Sequence, residues 1–172
     1  GNNSIMAWTL DTDGDSLKEL YLGTDGGKIM LPQNSSYMFS SYSNVTTIDF
    51  NNVDTSQVTD MSYMFYGLSS ITTIDFSNFN TSQVTNMNSM FYYSSGFTSL
   101  DLSSFDTSNV TYMNSMFYSC NNLTSITVGD KADISKVISS HTFYDMFKNL
   151  PSNGTLTYPC AYSNAWNILV IN

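Results

Sequence analysis

Asp49, Asp75 and Asp101 recur every 26 residues, each set between two apolar neighbours: Ile48 and Phe50, Ile74 and Phe76, Leu100 and Leu102. In a strand, successive side chains point to opposite faces, so this pattern turns the carboxylates outward while their neighbours are buried. Stacked on parallel strands about 4.8 Å apart, equal charges would repel by roughly 1 kcal/mol or more per neighbour, so something must compensate. Two arrangements do so. Either Thr47, Thr73, Ser99 and backbone amides donate hydrogen bonds to the carboxylates, or the column offers aligned acceptors to a cation or a basic ligand. With Asn51, Asn52, Ser77, Asn78, Ser103 and Ser104 the column would form a polar, acidic, concave strip.

A second column is aromatic. Tyr66, Tyr92 and Tyr118 each follow a Met-Phe pair, with Tyr63 and Tyr93 close by. Such a ladder can hold a protein partner or a sugar, because tyrosine offers contact area at low entropic cost; it can equally shield the edge of a core. Asp11, Asp13 and Asp15 share the spacing of a calcium loop, but Ser16 and Leu22 stand where that loop wants Gly and Glu, so a hairpin turn competes with a metal site there. No cofactor is expected. Catalysis finds little: His141 is the sole histidine, no nucleophile pairs with it by spacing, and identical aspartates lack the contrasting environments an acid and base pair needs. Cys120 and Cys160 are too few for a disulfide scaffold and have no CxxC spacing; Cys120 falls where Leu68 and Ser94 stand in earlier repeats and reads as a small packed residue.

The elements that position these columns follow from the same interval. Aligned at 26 residues, segments 37–62, 63–88, 89–114 and 115–140 form four rows, the last irregular. Val45, Ile71, Phe97 and Leu123 share one column, Ile48, Ile74, Leu100 and Ile126 a second, and Phe50, Phe76, Leu102 and Val128 a third. Their one-four-six spacing is that of leucine-rich repeats and predicts a short strand with one face buried. Val58, Met61, Met64, Phe65 and Leu68 then follow at steps of three and four, which predicts a short helix or two helical turns, with Ser56, Ser82 and Ser108 placed to cap it. Neither piece buries its apolar side alone, so the rows must stack. The expected fold is an α/β solenoid: a right-handed leucine-rich-repeat coil of about 26-residue repeats, each a short parallel strand plus a short helix.

The ends differ. Residues 1–30 read as an N-terminal β-hairpin cap turning at Asp13-Gly14, 31–150 as the array, and 151–172 as a C-terminal strand and cap around "GTLTYP" and Trp166. In the fourth row "GDKADISKVISSHT" intervenes, so that Met146-Phe147 arrives 30 residues after Met116-Phe117. Gly1-Asn2-Asn3-Ser4 resembles a cleavage remnant, and no signal peptide is present in the sequence.

The phrase carried by Phe79-Asn80-Thr81-Ser82-Gln83-Val84-Thr85-Asn86-Met87, and again by Phe105-Asp106-Thr107-Ser108-Asn109-Val110-Thr111-Tyr112-Met113, resembles the BspA-like leucine-rich-repeat surface proteins of bacteria. The likeness is to their short methionine-phenylalanine variety, also found in mycoplasma-type lipoproteins. It covers about residues 35 to 130 well and the later rows loosely. It implies an exported or surface-anchored protein that binds other proteins or cell surfaces, and brings no catalytic residues.

Composition agrees with that partner class. Five Lys and Arg against 14 Asp and Glu give a net charge of −9 with no basic run, which disfavours nucleic acid and anionic lipid. No run of 18 apolar residues is present to span a bilayer. The expectation is a monomeric, extracellular, non-enzymatic interaction or adhesion module. It would bind protein or cell-surface ligands through Asp49, Asp75, Asp101, Thr47, Thr73, Ser99, Asn52 and Asn78 on the strip, or through Tyr66, Tyr92 and Tyr118; a glycan-binding module is the alternative.

Overall fold

The structure, a computed structural model, describes residues 6–10, 18–23 and 27–159, the first two stretches as backbone apart from Leu20 and Leu22. Strands β1 (Met6–Leu10) and β2 (Lys18–Gly23) pair antiparallel, and β2 lies parallel to β4 (Val45–Ile48) with Leu20 opposite Ile48. The hairpin thus adjoins the first row; its turn, with Asp11, Asp13 and Asp15, lies outside the described residues. Two-residue strands β3 (Ile29–Met30) and β5 (Val53–Asp54) pair parallel. At the other end β6 (Ser99–Leu102), β7 (Ser125–Val128) and β8 (Thr155–Thr157) form a parallel sheet in that order. Its register sets Leu100 beside Ile126 and Ile126 beside Leu156, so the column extends into the last row. Residues 71–76 keep the buried-and-exposed alternation without a regular strand, joined to the next row by the Thr98 amide on the Thr72 carbonyl at 3.0 Å.

The segments expected to be helical are not. The Met-Phe stretch of each row is a pair of tight turns with left-handed residues four apart: Tyr63 and Gly67, Ser89 and Tyr93, Ser115 and Ser119. A left-handed residue every fourth position breaks the i to i−4 ladder of a helix. Alternate amides turn instead to the following row: Met61 donates to Asn86, Tyr63 to Asn88, Phe65 to Met90 and Gly67 to Tyr92, at 2.9 to 3.0 Å. The intervening amides close local turns, Met64 to Met61 and Tyr66 to Tyr63. Spacing by three and four suits this turn pair as well as a helix, and the serine and asparagine content favours the turns. The one helix among the described residues is α1 (Ser135–Ser140), inside the fourth-row insertion, with Val137 buried. That insertion leaves the stacking intact, since Phe117 donates to Met146 at 3.0 Å across it.

Between the strand side and the turn side lies one continuous core. Met61, Met64, Met87, Met90, Met113 and Met116 are all fully buried, as are Val58, Val84 and Val110. Its spine is a stack of phenylalanines, Phe39, Phe65, Phe91, Phe117 and Phe147, with centroids 5.6 to 5.7 Å apart and planes within 11° of parallel. Buried threonines tie the rows beside it. Thr81 Oγ1 donates to the Asp106 carbonyl at 3.0 Å and accepts the Asp106 amide at 2.8 Å; Thr55 does the same to Asn80.

Candidate interaction surfaces

The turn that makes Phe65, Phe91 and Phe117 face the core puts the following residue on the rim, and there the rings of Tyr66, Tyr92 and Tyr118 stack. Tyr66 and Tyr92 lie 5.9 Å apart with planes at 16°, Tyr92 and Tyr118 4.9 Å apart at 18°. All three are half-buried. Tyr63 meets Tyr66 and Tyr92 edge-on and is itself stacked on Tyr37 at 4.6 Å, while Tyr93 packs its edge on Tyr92 at 4.6 Å. Tyr37 and Tyr93 stand out to solvent, 54% and 49% exposed. Burial, then the neighbouring Tyr93, raises the Tyr92 phenol above the ordinary tyrosine range, so the ladder is neutral through physiological pH. Lys148 closes one end, its ammonium 5.7 Å from the Tyr118 centroid and 3.2 Å from Asp145.

On the opposite side Asp49, Asp75 and Asp101 are exposed, as the alternation requires. Their charge is met locally. Asp49 Oδ1 accepts the Asn51 amide at 2.8 Å, Asp75 Oδ1 the Ser77 amide at 2.9 Å, and Asp101 Oδ1 the Ser103 amide at 3.0 Å together with the Ser103 hydroxyl. These are turns closed by the aspartate on the amide two residues ahead, and the same device recurs at Asp54, Asp60 and Asp106. The Ser77 amide, then its hydroxyl, holds the Asp75 carboxyl below its usual value. Backbone amides therefore supply the predicted compensation; the Thr47, Thr73 and Ser99 side chains are exposed along the strip and are not the donors of these bonds. Asp75 and Asp101 share a hollow of about 380 Å³ with Ser77, Ser103 and Ser104, outside which Asp49 lies. Asn52 and Asn78 are exposed, the Asn52 carbonyl accepting the Ile29 amide at 2.7 Å. Among the described residues no three acidic, histidine or cysteine side chains converge as metal ligands would.

Residues 33–156 match the model of a family described as Mycoplasma protein of unknown function, DUF285. The chain belongs to that family. No curated protein and no solved structure matches it. The DUF285 span takes in every row that bears the tyrosine ladder and the aspartate column, and leaves β1 to β3 outside it. Within this DUF285 span Cys120 is a buried free thiol whose Sγ approaches the Phe91 carbonyl at 2.9 Å, the place Ser94 holds toward Phe65 one row earlier. His141 is exposed with a left-handed backbone at the end of α1, away from both columns.

The threonine staples and a further polar column escaped the sequence reading. Asn34, Asp60, Asn86 and Tyr112 pair row to row in parallel, and Asn86 Nδ2 donates to Asp60 Oδ2 at 3.1 Å. The signal for the staples was present: Thr55, Thr81 and Thr107 stand at the same interval inside the repeated phrase.

Proposed function

We propose that this chain is a non-enzymatic interaction module of a cell surface, a leucine-rich-repeat solenoid of the BspA-like kind, that binds a protein partner through its tyrosine ladder. The observation that carries the reading is the run of Tyr66, Tyr92 and Tyr118 on three successive rows, with Tyr37, Tyr63 and Tyr93 beside them. Rigid rings fixed by their neighbours lose little entropy on binding and present hydroxyls and edges in a row, which suits a protein surface. A sugar instead needs open ring faces, and in this ladder the inner faces lie on one another, which weighs for a protein over a glycan. The aspartate strip is the secondary candidate, because its carboxylates keep solvent-facing acceptor capacity while bonded to their own turns.

The reading is tested by adding labelled protein to intact animal and bacterial cells before and after protease or glycosidase treatment. Binding that protease abolishes and glycosidase leaves supports a protein partner. Binding that survives protease and falls with glycosidase overturns that partner in favour of a glycan, and no binding to either cell type overturns the module itself.

A further inference from the structure

The ladder ends differently at its two sides. In register, its column reads Ser40, Tyr66, Tyr92, Tyr118 and Lys148, the last step lengthened by the insertion. At the far end the Lys148 ammonium lies over the Tyr118 ring. At the near end the adjacent row is held against Tyr66 by the Ser41 amide on the Tyr66 carbonyl at 2.7 Å, and Ser40 is too short to cover the ring. Tyr92 occupies the other face of Tyr66. Tyr63, stacked on Tyr37 and set at 65° to Tyr66, walls the same corner. The result is an aromatic angle of three rings open above a serine.

Building on the interaction-module reading, we infer that the Tyr37, Tyr63 and Tyr66 corner above Ser40 is a binding site for a cationic side chain, an arginine or lysine of a basic segment on the partner protein. Three observations point to this chemistry. Ring faces attract cations through the quadrupole, and two rings at an angle do so from two sides. The molecule already satisfies the equivalent place at the other end with its own ammonium. The chain carries −9, and Asp60, three residues ahead of Tyr63, adds a local acid, so a basic segment is drawn to it. Arginine fits best, because its planar guanidinium stacks on a ring and is weakly hydrated.

The test is proton NMR titration of the whole chain with the peptide Ac-Gly-Gly-Arg-Gly-Gly-NH2 and its citrulline counterpart, which has the same shape without charge. The arginine side-chain protons should move upfield, and the arginine peptide should bind about threefold tighter than the citrulline one, the scale of an exposed cation over an aromatic face. Ser40→Tyr, which extends the ladder over the open face, and Tyr66→Leu, which removes the ring, should each erase that preference. An Asp49→Asn, Asp75→Asn, Asp101→Asn triple variant should keep it. Equal binding of the two peptides overturns the site, as does a preference that survives Ser40→Tyr and Tyr66→Leu or disappears with the aspartate triple. Wild-type protein that binds cells yet shows no arginine preference overturns the corner and leaves the module reading standing.

Discussion

Phe65 and Phe91 lie ring over ring at 5.6 Å with their planes 10° apart, and the Phe65 amide donates to the Met90 carbonyl at 2.9 Å. One residue per row thus supplies both the packing and a backbone link to the next row. Because Tyr66 and Tyr92 follow directly, the same register that stacks the core rings brings the surface rings together.

Removing a ring from the middle of this spine should therefore cost more than removing one on the rim. Phe91→Ala is expected to lose about 3 to 5 kcal/mol, the range for a buried phenylalanine, and Phe91→Leu markedly less. Urea titration followed by circular dichroism measures both; a loss below about 1 kcal/mol for Phe91→Ala would contradict a close-packed spine.

Thr81 both donates to and accepts from Asp106, so Thr81→Val leaves a buried carbonyl and a buried amide without that hydroxyl. A loss of about 1 to 3 kcal/mol is expected, against under about 0.5 for Ser82→Ala on the exposed side. Equal effects in the two variants would show that the threonine is an incidental neighbour.

Much of this architecture was readable before any coordinates. Periodicity states which side chains share an environment, so the columns of Val45, Ile48, Phe50, Met61, Met64 and Phe65 emerged directly, and all are buried. Conformation was harder. The left-handed positions are held by Tyr63, Ser89, Tyr93, Ser115 and Ser119, with glycine at Gly67 alone, so the usual glycine signal for a turn was missing and the spacing read as helix. Helix α1 lay in the insertion, where no repeat guided the reading. The exposed aspartates were legible as a column, but their partners lay along the chain rather than across it: Asp49 with Asn51, Asp75 with Ser77 and Asp101 with Ser103 are local turns.

Acid sensitivity follows from those turns. The Asp54 and Asp106 carboxyls are lowered first by the hydroxyls of Ser56 and Ser108, and Asp75 by the Ser77 amide. A carboxyl lowered in the folded state stabilises above its unfolded value, near 3.8, and that contribution fades as pH falls through the folded value. The melting temperature should be flat above about pH 5 and decline below about pH 4, less steeply in Ser108→Ala. Asp75→Asn, whose amide oxygen can still accept from Ser77, should melt within a few degrees of wild type at pH 7; a large loss there would contradict local compensation.

At Gly129 an added methyl would run into the Ser103 carbonyl of the neighbouring row. Backbone cannot yield as a side chain tip can, so Gly129→Ala should destabilise by about 1 to 3 kcal/mol. Gly67, at φ +72° with ordinary room around it, should lose only about 1 kcal/mol as Gly67→Ala. Thermal melts of the two variants side by side give the order.

Burial pushes the Cys120 thiol up to about 12, which keeps it protonated and slow to react. Peptide mapping after iodoacetamide treatment should find it modified in urea and unmodified in buffer. Cys120→Ser should be tolerated within about 1 kcal/mol, since Ser94 fills the same place a row earlier.

The claim that the tyrosine ladder is the binding surface is met most directly by flow cytometry of labelled protein on cells. Wild type would be compared with a Tyr66→Leu, Tyr92→Leu, Tyr118→Leu variant and with the Asp49→Asn, Asp75→Asn, Asp101→Asn variant, each first checked for an unchanged circular dichroism spectrum. The prediction is loss of binding in the tyrosine variant and retention in the aspartate variant. Retention in the folded tyrosine variant, with loss in the aspartate variant, would contradict the claim and move the site to the concave strip.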